Sequence, residues 1–414
     1  MINRKDGVNL ILILIFCLAP EALQIITQSD STSWAFSATS VFIFFYMVRL
    51  NSTRQLLLKM LINPYVLFIV VTIFVHGIVA GIIASNLGRQ FDITRFALSY
   101  ILLFFLLVNS SYIISFIYSR NFEGVIYGAN VTFAIAGIMG ILGYTFLGAY
   151  EDRKPIMLFS EISHYASFIA PFYCFLMVYR GYRLMPKIIM SLIYVTTTLK
   201  YQSATLLFVI VTVLIISQAR FRIVSLALAS VAIFAMIIFW DIDISYYTSR
   251  MSIEISDEST NMSLLSGLEQ ALISLQDTYG TGYGFQQMGV NPPKGMAAVV
   301  GYLTAGDYVN RFDGSVAVAK MIVEFGLIGV MFMIAYVGIL INSIYILSKY
   351  IRKTINIGAE IVFAHCCVFS FGVYYFVRGG GYFVPAFSFA IAAIAILYGK
   401  NVRPFISSRV GGHR

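Results

Sequence analysis

Residues 64–84, PYVLFIVVTIFVHGIVAGIIA, run for 21 positions without one charged side chain. A stretch of roughly 20 such residues, 1.5 Å apart along a helix, crosses the hydrocarbon core of a bilayer. The rest of the chain repeats the pattern. Apolar blocks between charged breaks fall near Val8–Ile26, Trp34–Leu50, Pro64–Ala84, Phe96–Ile117, Val125–Ala149, Ser163–Tyr179 and Pro186–Leu199. Five more lie at Ala204–Gln218, Ile223–Trp240, Ser315–Leu347, Gly358–Phe376 and Tyr382–Tyr398. These predict an all-α polytopic bundle of about 12 spans forming a single integral domain over residues 1–414.

Composition agrees with that reading. Of 414 residues 59% are hydrophobic and 11% charged, less than half the charged share of an average soluble domain. Only 9 prolines are present, and no low-complexity linker separates soluble modules. Cys17, Cys174, Cys366 and Cys367 all lie inside apolar blocks without ligand spacing, so neither a disulfide nor a structural zinc is indicated. The net charge of +9 reports orientation before it reports a partner.

Twelve crossings place both termini on one side. With that side cytoplasmic, 18 of the 28 Lys and Arg residues fall inside, among them Arg49, Arg120, Arg183 and Lys353, whereas only Asp6, Glu123 and Glu360 of the acidic residues do. The positive-inside bias therefore predicts cytoplasmic termini, and no nucleic acid partner is called for. The basic start and the Ala19-Pro20-Glu21-Ala22 stretch resemble a signal peptide. Cleavage would leave eleven spans and reverse the charge agreement, so the first block is read as a retained span.

One connection is long: residues 241–314, between spans nine and ten, form an outer loop. Loops of this length are functional or disordered. Behind Ser259-Thr260-Asn261, the residues Met262, Leu264, Leu265, Leu268, Leu272 and Leu275 recur at helical intervals, which predicts an amphipathic helix on the outer membrane surface, roofing a cavity or packed on the bundle. Gly280-Thr281-Gly282-Tyr283-Gly284-Phe285 follows. Its glycines allow a phosphate cradle, but the strand-to-helix context and the Lys-Ser/Thr ending of a nucleotide loop are missing, so a turn element is the preferred reading. Asp241 and Asp243 could pair on a divalent cation. Two acids at a helix boundary are usually solvated, and neither metal nor cofactor is expected.

Cations on the outer side are few: Arg89, Arg95, Arg153, Lys154, Lys200, Arg250, Lys294, Arg311, Lys320 and Arg378. Arg378 precedes Gly379-Gly380-Gly381-Tyr382-Phe383 at a membrane boundary, where a guanidinium fork matches phosphate oxygens and glycines let a ligand approach. A snorkelling arginine on a hairpin is the alternative. Lys200, between two short spans, is a candidate cation within a cavity. In Phe159-Ser160-Glu161-Ile162-Ser163-His164-Tyr165, a helical spacing of three would put Glu161 and His164 on one face, a carboxylate and an imidazole able to take a proton from a sugar hydroxyl. A helix cap beside a boundary histidine is the competing reading. Glu324 is a second candidate base. His76 and His365 sit mid-span and read as core histidines.

Leu158-Phe159-Ser160-Glu161-Ile162-Ser163-His164-Tyr165-Ala166, with Ala170-Pro171-Phe172, resembles the F-S-E-P-S-H segment of Wzy-type O-antigen polymerases, with Ile162 where that family commonly has proline. The long outer loop, Glu324-Phe325-Gly326-Leu327-Ile328-Gly329 and Arg378-Gly379-Gly380-Gly381-Tyr382-Phe383 follow in matching order, so the resemblance covers roughly Leu158–Pro385. It implies a bacterial inner-membrane glycosyltransferase joining undecaprenyl-diphosphate-linked oligosaccharides, donor and acceptor, at the periplasmic face, with the lipid bilayer and a chain-length regulator protein as partners. O-antigen ligases share the architecture but commonly carry a histidine in the long loop. None lies between Asp241 and Glu324, which favours a polymerase over a ligase. A flippase or secondary transporter tends to show two matching halves, and no duplicated motif is visible. On this reading Glu161 with His164, or Glu324, deprotonates the acceptor. Arg378, Arg311, Lys200 and Arg250 hold the diphosphate, while Ser160, Tyr382 and Gly380 position the substrate.

Overall fold

The computed structural model describes residues 4–27, 32–144, 155–217, 259–303, 311–312, 316–377, 379 and 381–399. Within these ranges the chain is all-α. The helices are α1 (Arg4–Thr27), α2 (Thr32–Arg49), α3 (Asn51–Leu61), α4 (Pro64–Asn86), α5 (Ile93–Ile117), α6 (Phe122–Ile141), α7 (Ile162–Val178), α8 (Leu184–Tyr201) and α9 (Ala204–Ile216). They continue with α10 (Ser259–Asp277), α11 (Met296–Leu303), α12 (Ala317–Phe325), α13 (Leu327–Ile351), α14 (Ala359–Phe376) and α15 (Pro385–Tyr398). Among the described residues, β-pairing is limited to one bridge between Ile156 and Phe159. Six helices, α1, α4, α5, α6, α13 and α14, are long and apolar enough to cross a membrane, so the chain is a multi-pass membrane protein.

Local chemistry explains where helices start. Asn63 accepts a hydrogen bond from the Tyr65 amide while Pro64 takes the first helical position of α4. Asp92 caps α5 through the Arg95 amide, and Ser203 caps α9 through Leu206. Burial then ranks the helices. Of the apolar window of α14, 83% is buried, against 17% for α4 and α13, so α14 is central and the other two face lipid. α14 packs on α7, α13 and α15. Phe363 of α14 sits between Phe172 and Phe175 of α7, with ring centroids 6.0 and 5.4 Å away. α4 keeps only a stripe of His76, Gly77, Ala80 and Ala84 for the protein.

Three features differ from the sequence reading. The expected span over Ser315–Leu347 is broken into α12 and α13 at Gly326, whose φ is +58°. The fifth span stops at Ile141, short of Ala149, in a turn where Gly143 has a φ of +84°. The link after span two is itself helical: α3 turns 113° from α2 and buries Leu56, Leu57 and Met60 against α5, leaving Arg54 and Lys59 exposed. The expected helix over the leucine stripe is present as α10, which buries Ser266, Ala271 and Ser274 and contacts α12 while Leu268 and Leu272 are exposed. The expected ninth span, Ile223–Trp240, lies outside the described residues.

The break at Gly326 is held by a seam of backbone. Tyr283 donates its amide to the Val323 carbonyl (2.9 Å), Gly284 to Glu324 (2.8 Å), and Leu327 to Gly280 (2.8 Å). A Cβ on Gly326 would strike the Gly280 carbonyl and the Gly282 amide, and Gly326 occupies a conformation that side chains disfavour. Gly326→Ala is therefore expected to cost about 2 kcal/mol or more. Gly338→Ala, with nothing within 4 Å of the added methyl, should be neutral or mildly stabilising. Thermal denaturation of both purified variants in detergent checks this, and equal midpoints would contradict it.

Candidate functional site

The segment before α7 is a tight turn, with Ile156 and Phe159 exchanging amide-to-carbonyl bonds of 3.1 and 2.9 Å. Phe159 is fully buried, which anchors Ser160 against the bundle. Glu161 has extended backbone and precedes the helix, and Ile162 takes the first helical position. That position favours proline, the residue the resembling segment commonly has there. As the N-cap, Glu161 accepts the His164 and Tyr165 amides at its carbonyl, at 3.1 and 3.3 Å. Its Oε1 accepts from Ser163 Oγ at 2.6 Å.

His164 faces a residue on α1. Its Nδ1 lies 3.0 Å from Glu21 Oε2, and Ser160 Oγ donates to the same oxygen at 2.9 Å. Ser160 Oγ is also 3.3 Å from His164 Nδ1. The Glu21 side chain is 6% exposed and that of His164 33%. A buried carboxylate thus stands behind a histidine whose ring reaches the surface of the bundle.

Glu324 lies in a second buried cluster. Lys320, one turn earlier on α12, places Nζ 3.2 Å from Glu324 Oε1, and both side chains are essentially inaccessible. The Met288 amide donates to the same oxygen at 3.3 Å, and Lys320 also donates to the Phe312 carbonyl. Tyr382 forms part of the floor, its ring 5.4 Å from Lys320 Nζ and stacked on Phe285. His76 Nε2 donates to the Thr281 carbonyl at 2.8 Å. His365, the other mid-span histidine, pairs with Ser343 Oγ at 3.0 Å.

The glycine cluster offers no phosphate cradle. Gly280, Thr281 and Gly282 donate their amides to Leu275 O, Thr278 O and Thr278 Oγ1, while Tyr283 and Gly284 donate to α12. Five successive N–H groups are thus engaged within the protein. Removing the cation from the Lys320–Glu324 pair leaves a buried charge, so Lys320→Met should cost about 3–5 kcal/mol, and adding Glu324→Leu should restore most of it. Unfolding midpoints of the two variants test this. A stable single variant would mean that Glu324 does not need its partner.

Several of the cations expected on the outer side are engaged within the protein. Asp277 binds Arg89 Nη2 at 2.9 Å and Lys294 Nζ at 2.6 Å. Arg311 Nε donates to the Gly289 carbonyl, and Arg95 stacks on Phe312. Lys200 is exposed in the last turn of α8. Arg378, Gly380, Arg250, Arg153, Lys154, Asp241 and Asp243 lie outside the described residues. Two amide side chains dock the α4–α5 turn: Gln287 brackets the amide and carbonyl of Asp92, and Asn291 those of Gln90. Among the described residues no group of three His, Cys, Asp or Glu side chains could hold a metal.

The Asp277 carboxyl lies below its ordinary value of 3.8: burial pushes it up, but the Lys294 hydrogen bond and the Arg89 and Lys294 charges outweigh that. A depressed folded value stabilises the docked turn above the ordinary carboxylate range, and the contribution is lost as pH falls through the folded value. Hydrogen exchange over Tyr279–Val290, corrected for intrinsic rates, should show steady protection from about pH 7 to 5 and a decline below about pH 4. Asp277→Asn should be weakly protected throughout. The same pH response in Asp277→Asn would assign the decline to another group.

Glu21 and Lys320 were absent from the site residues expected from sequence. The signal for Glu21 was an acidic residue inside an apolar block, which marks a functional candidate by default. Comparison with protein-family models, curated proteins and solved structures finds no match to the chain.

Proposed function

We propose that this chain is an O-antigen-type polymerase: a membrane glycosyltransferase that joins undecaprenyl-diphosphate-linked oligosaccharides at the periplasmic face of a bacterial inner membrane. The observation that carries it is the buried Glu21 behind His164, at the start of the segment that resembles the polymerase motif. A carboxylate-backed imidazole is a general base. A sugar on a lipid diphosphate already has a good leaving group, so the remaining work is to deprotonate the acceptor hydroxyl, align two substrates and neutralise developing charge.

The finer architecture belongs to the same reading: twelve spans, both termini cytoplasmic, and residues 241–314 as a periplasmic loop. Contacts support a shared face. Segments assigned to the outside touch one another, Glu21 with Ser160 and His164, Arg89 with Asp277, and Asp92 with Gln287. The exposed Leu268 and Leu272 suit a helix resting on the outer leaflet. Arg378, with Arg311, Lys200 and Arg250, is the proposed diphosphate clamp, with Ser160, Gly380 and Tyr382 near the substrate. Buried in its ion pair, Glu324 is the second choice as base, and Glu161 takes a supporting place beside Ser163. A chain-length regulator is the proposed protein partner.

Deleting the chain should leave surface lipopolysaccharide capped with at most one repeat unit, because synthesis, flipping and ligation continue while polymerisation stops. A gel of surface polysaccharide reads the outcome. A persisting ladder rejects the polymerase, and complete loss of capped core points to a ligase or a flippase.

A further inference from the structure

The Glu21, Ser160 and His164 cluster carries more than a general base. An ionised carboxylate has no hydrogen to give, so the ring nitrogen facing Glu21 Oε2 must carry the proton. Nδ1 is then the N–H and Nε2 the basic nitrogen. The Ser160 hydroxyl converges on the same oxygen and fixes the carboxylate from a second direction. A serine nucleophile activated by histidine requires the serine and the carboxylate on opposite ring nitrogens. Here both adjoin Nδ1, at 3.3 and 3.0 Å, so Ser160 is an anchor and not a nucleophile.

We infer that Glu21 is the positioning residue of the transfer: from α1 it locks the His164 ring through Nδ1, so that Nε2 receives the proton of the acceptor hydroxyl. This inference rests on the glycosyl-transfer reading. In the step, the acceptor oxygen bonds to the anomeric carbon of the donor as the bond from that carbon to the diphosphate oxygen breaks. The electron pair of that bond leaves with the lipid diphosphate. The hydroxyl proton passes to Nε2, giving an imidazolium that the Glu21 carboxylate neutralises, and is then released to water. Glu21 touches neither sugar. Its effect runs through the ring it holds, across 143 residues of sequence.

The tautomer tests this independently of activity. The chain has four histidines, His76, His164, His365 and His413, so solid-state NMR of the full-length, 15N-histidine-labelled protein in phosphatidylethanolamine and phosphatidylglycerol vesicles can resolve them. The His164 signals are identified by their loss in His164→Gln. The expected pattern is a protonated Nδ1 with a bare Nε2 in the unaltered protein, and mixed tautomers in Glu21→Gln. Glu161→Gln should leave the pattern as it is. If Glu21→Gln fails to accumulate, Glu21→Asp withdraws the charge by one methylene and should mix the tautomers in the same way. A His164 pattern indifferent to the Glu21 substitution overturns the inference, whatever the polysaccharide does.

Function is read from surface polysaccharide at matched membrane abundance. Glu21→Gln and His164→Gln should each lower polymer at least about tenfold, within the range that a general base contributes. The double variant should be no worse than His164→Gln alone, because residues acting as a unit are not additive. Multiplying losses would make Glu21 a separate structural element and overturn the positioning role, as would a normal ladder from Glu21→Gln. An unchanged ladder on deleting the whole chain instead rejects the polymerase reading, and it leaves the tautomer pattern untouched.

Discussion

The backbone seam between residues 280–284 and 323–327 is the constraint on which the meeting of α4, α10, α12 and α13 depends. A helix broken inside an apolar bundle exposes amides and carbonyls that lipid cannot satisfy, and such breaks survive only where protein supplies the partners. Gly280, Gly282 and Gly326 let two backbones meet at hydrogen-bonding distance. Once that contact forms, Glu324 meets the Met288 amide, Thr281 meets His76 on α4, and Phe285 stacks on Tyr382. The α4–α5 turn then closes over the same segment through Gln287, Asn291 and Asp277.

On the other side of the site, a tie between side chains does comparable work. Glu21 is buried, and a buried carboxylate is tolerable only with donors aimed at it. Ser160 and His164 are those donors. The entrance to α7 is therefore set by the same group that orients the histidine. Structure and chemistry share one carboxylate.

Much of the bundle was legible because unbroken apolar runs mark helices: α1, α4, α5, α7 and α9 lie within a few residues of their expected limits. What depended on meetings between distant segments was not. The Gly326 break looks like a continuous span until Gly280 is placed against it. The helix of α7 begins one residue after Glu161, and no local pattern announces Glu21, on α1, as a partner of His164. The leucine stripe of α10 was visible, but the small residues Ser266, Ala271 and Ser274 won the protein-facing side, since they permit close approach to α12. α3 was hidden because its polar positions read as a loop.

The Lys320–Glu324 pair has a consequence for biogenesis. Two charges carried into a membrane separately would each oppose insertion, but these are four residues apart on one helix. Their attraction needs no distant segment, so compensation is in place as soon as α12 is helical. The Met288 amide and the Phe312 carbonyl add contacts from outside the helix. A charge arrangement that depended on another helix would have to wait for that helix to arrive.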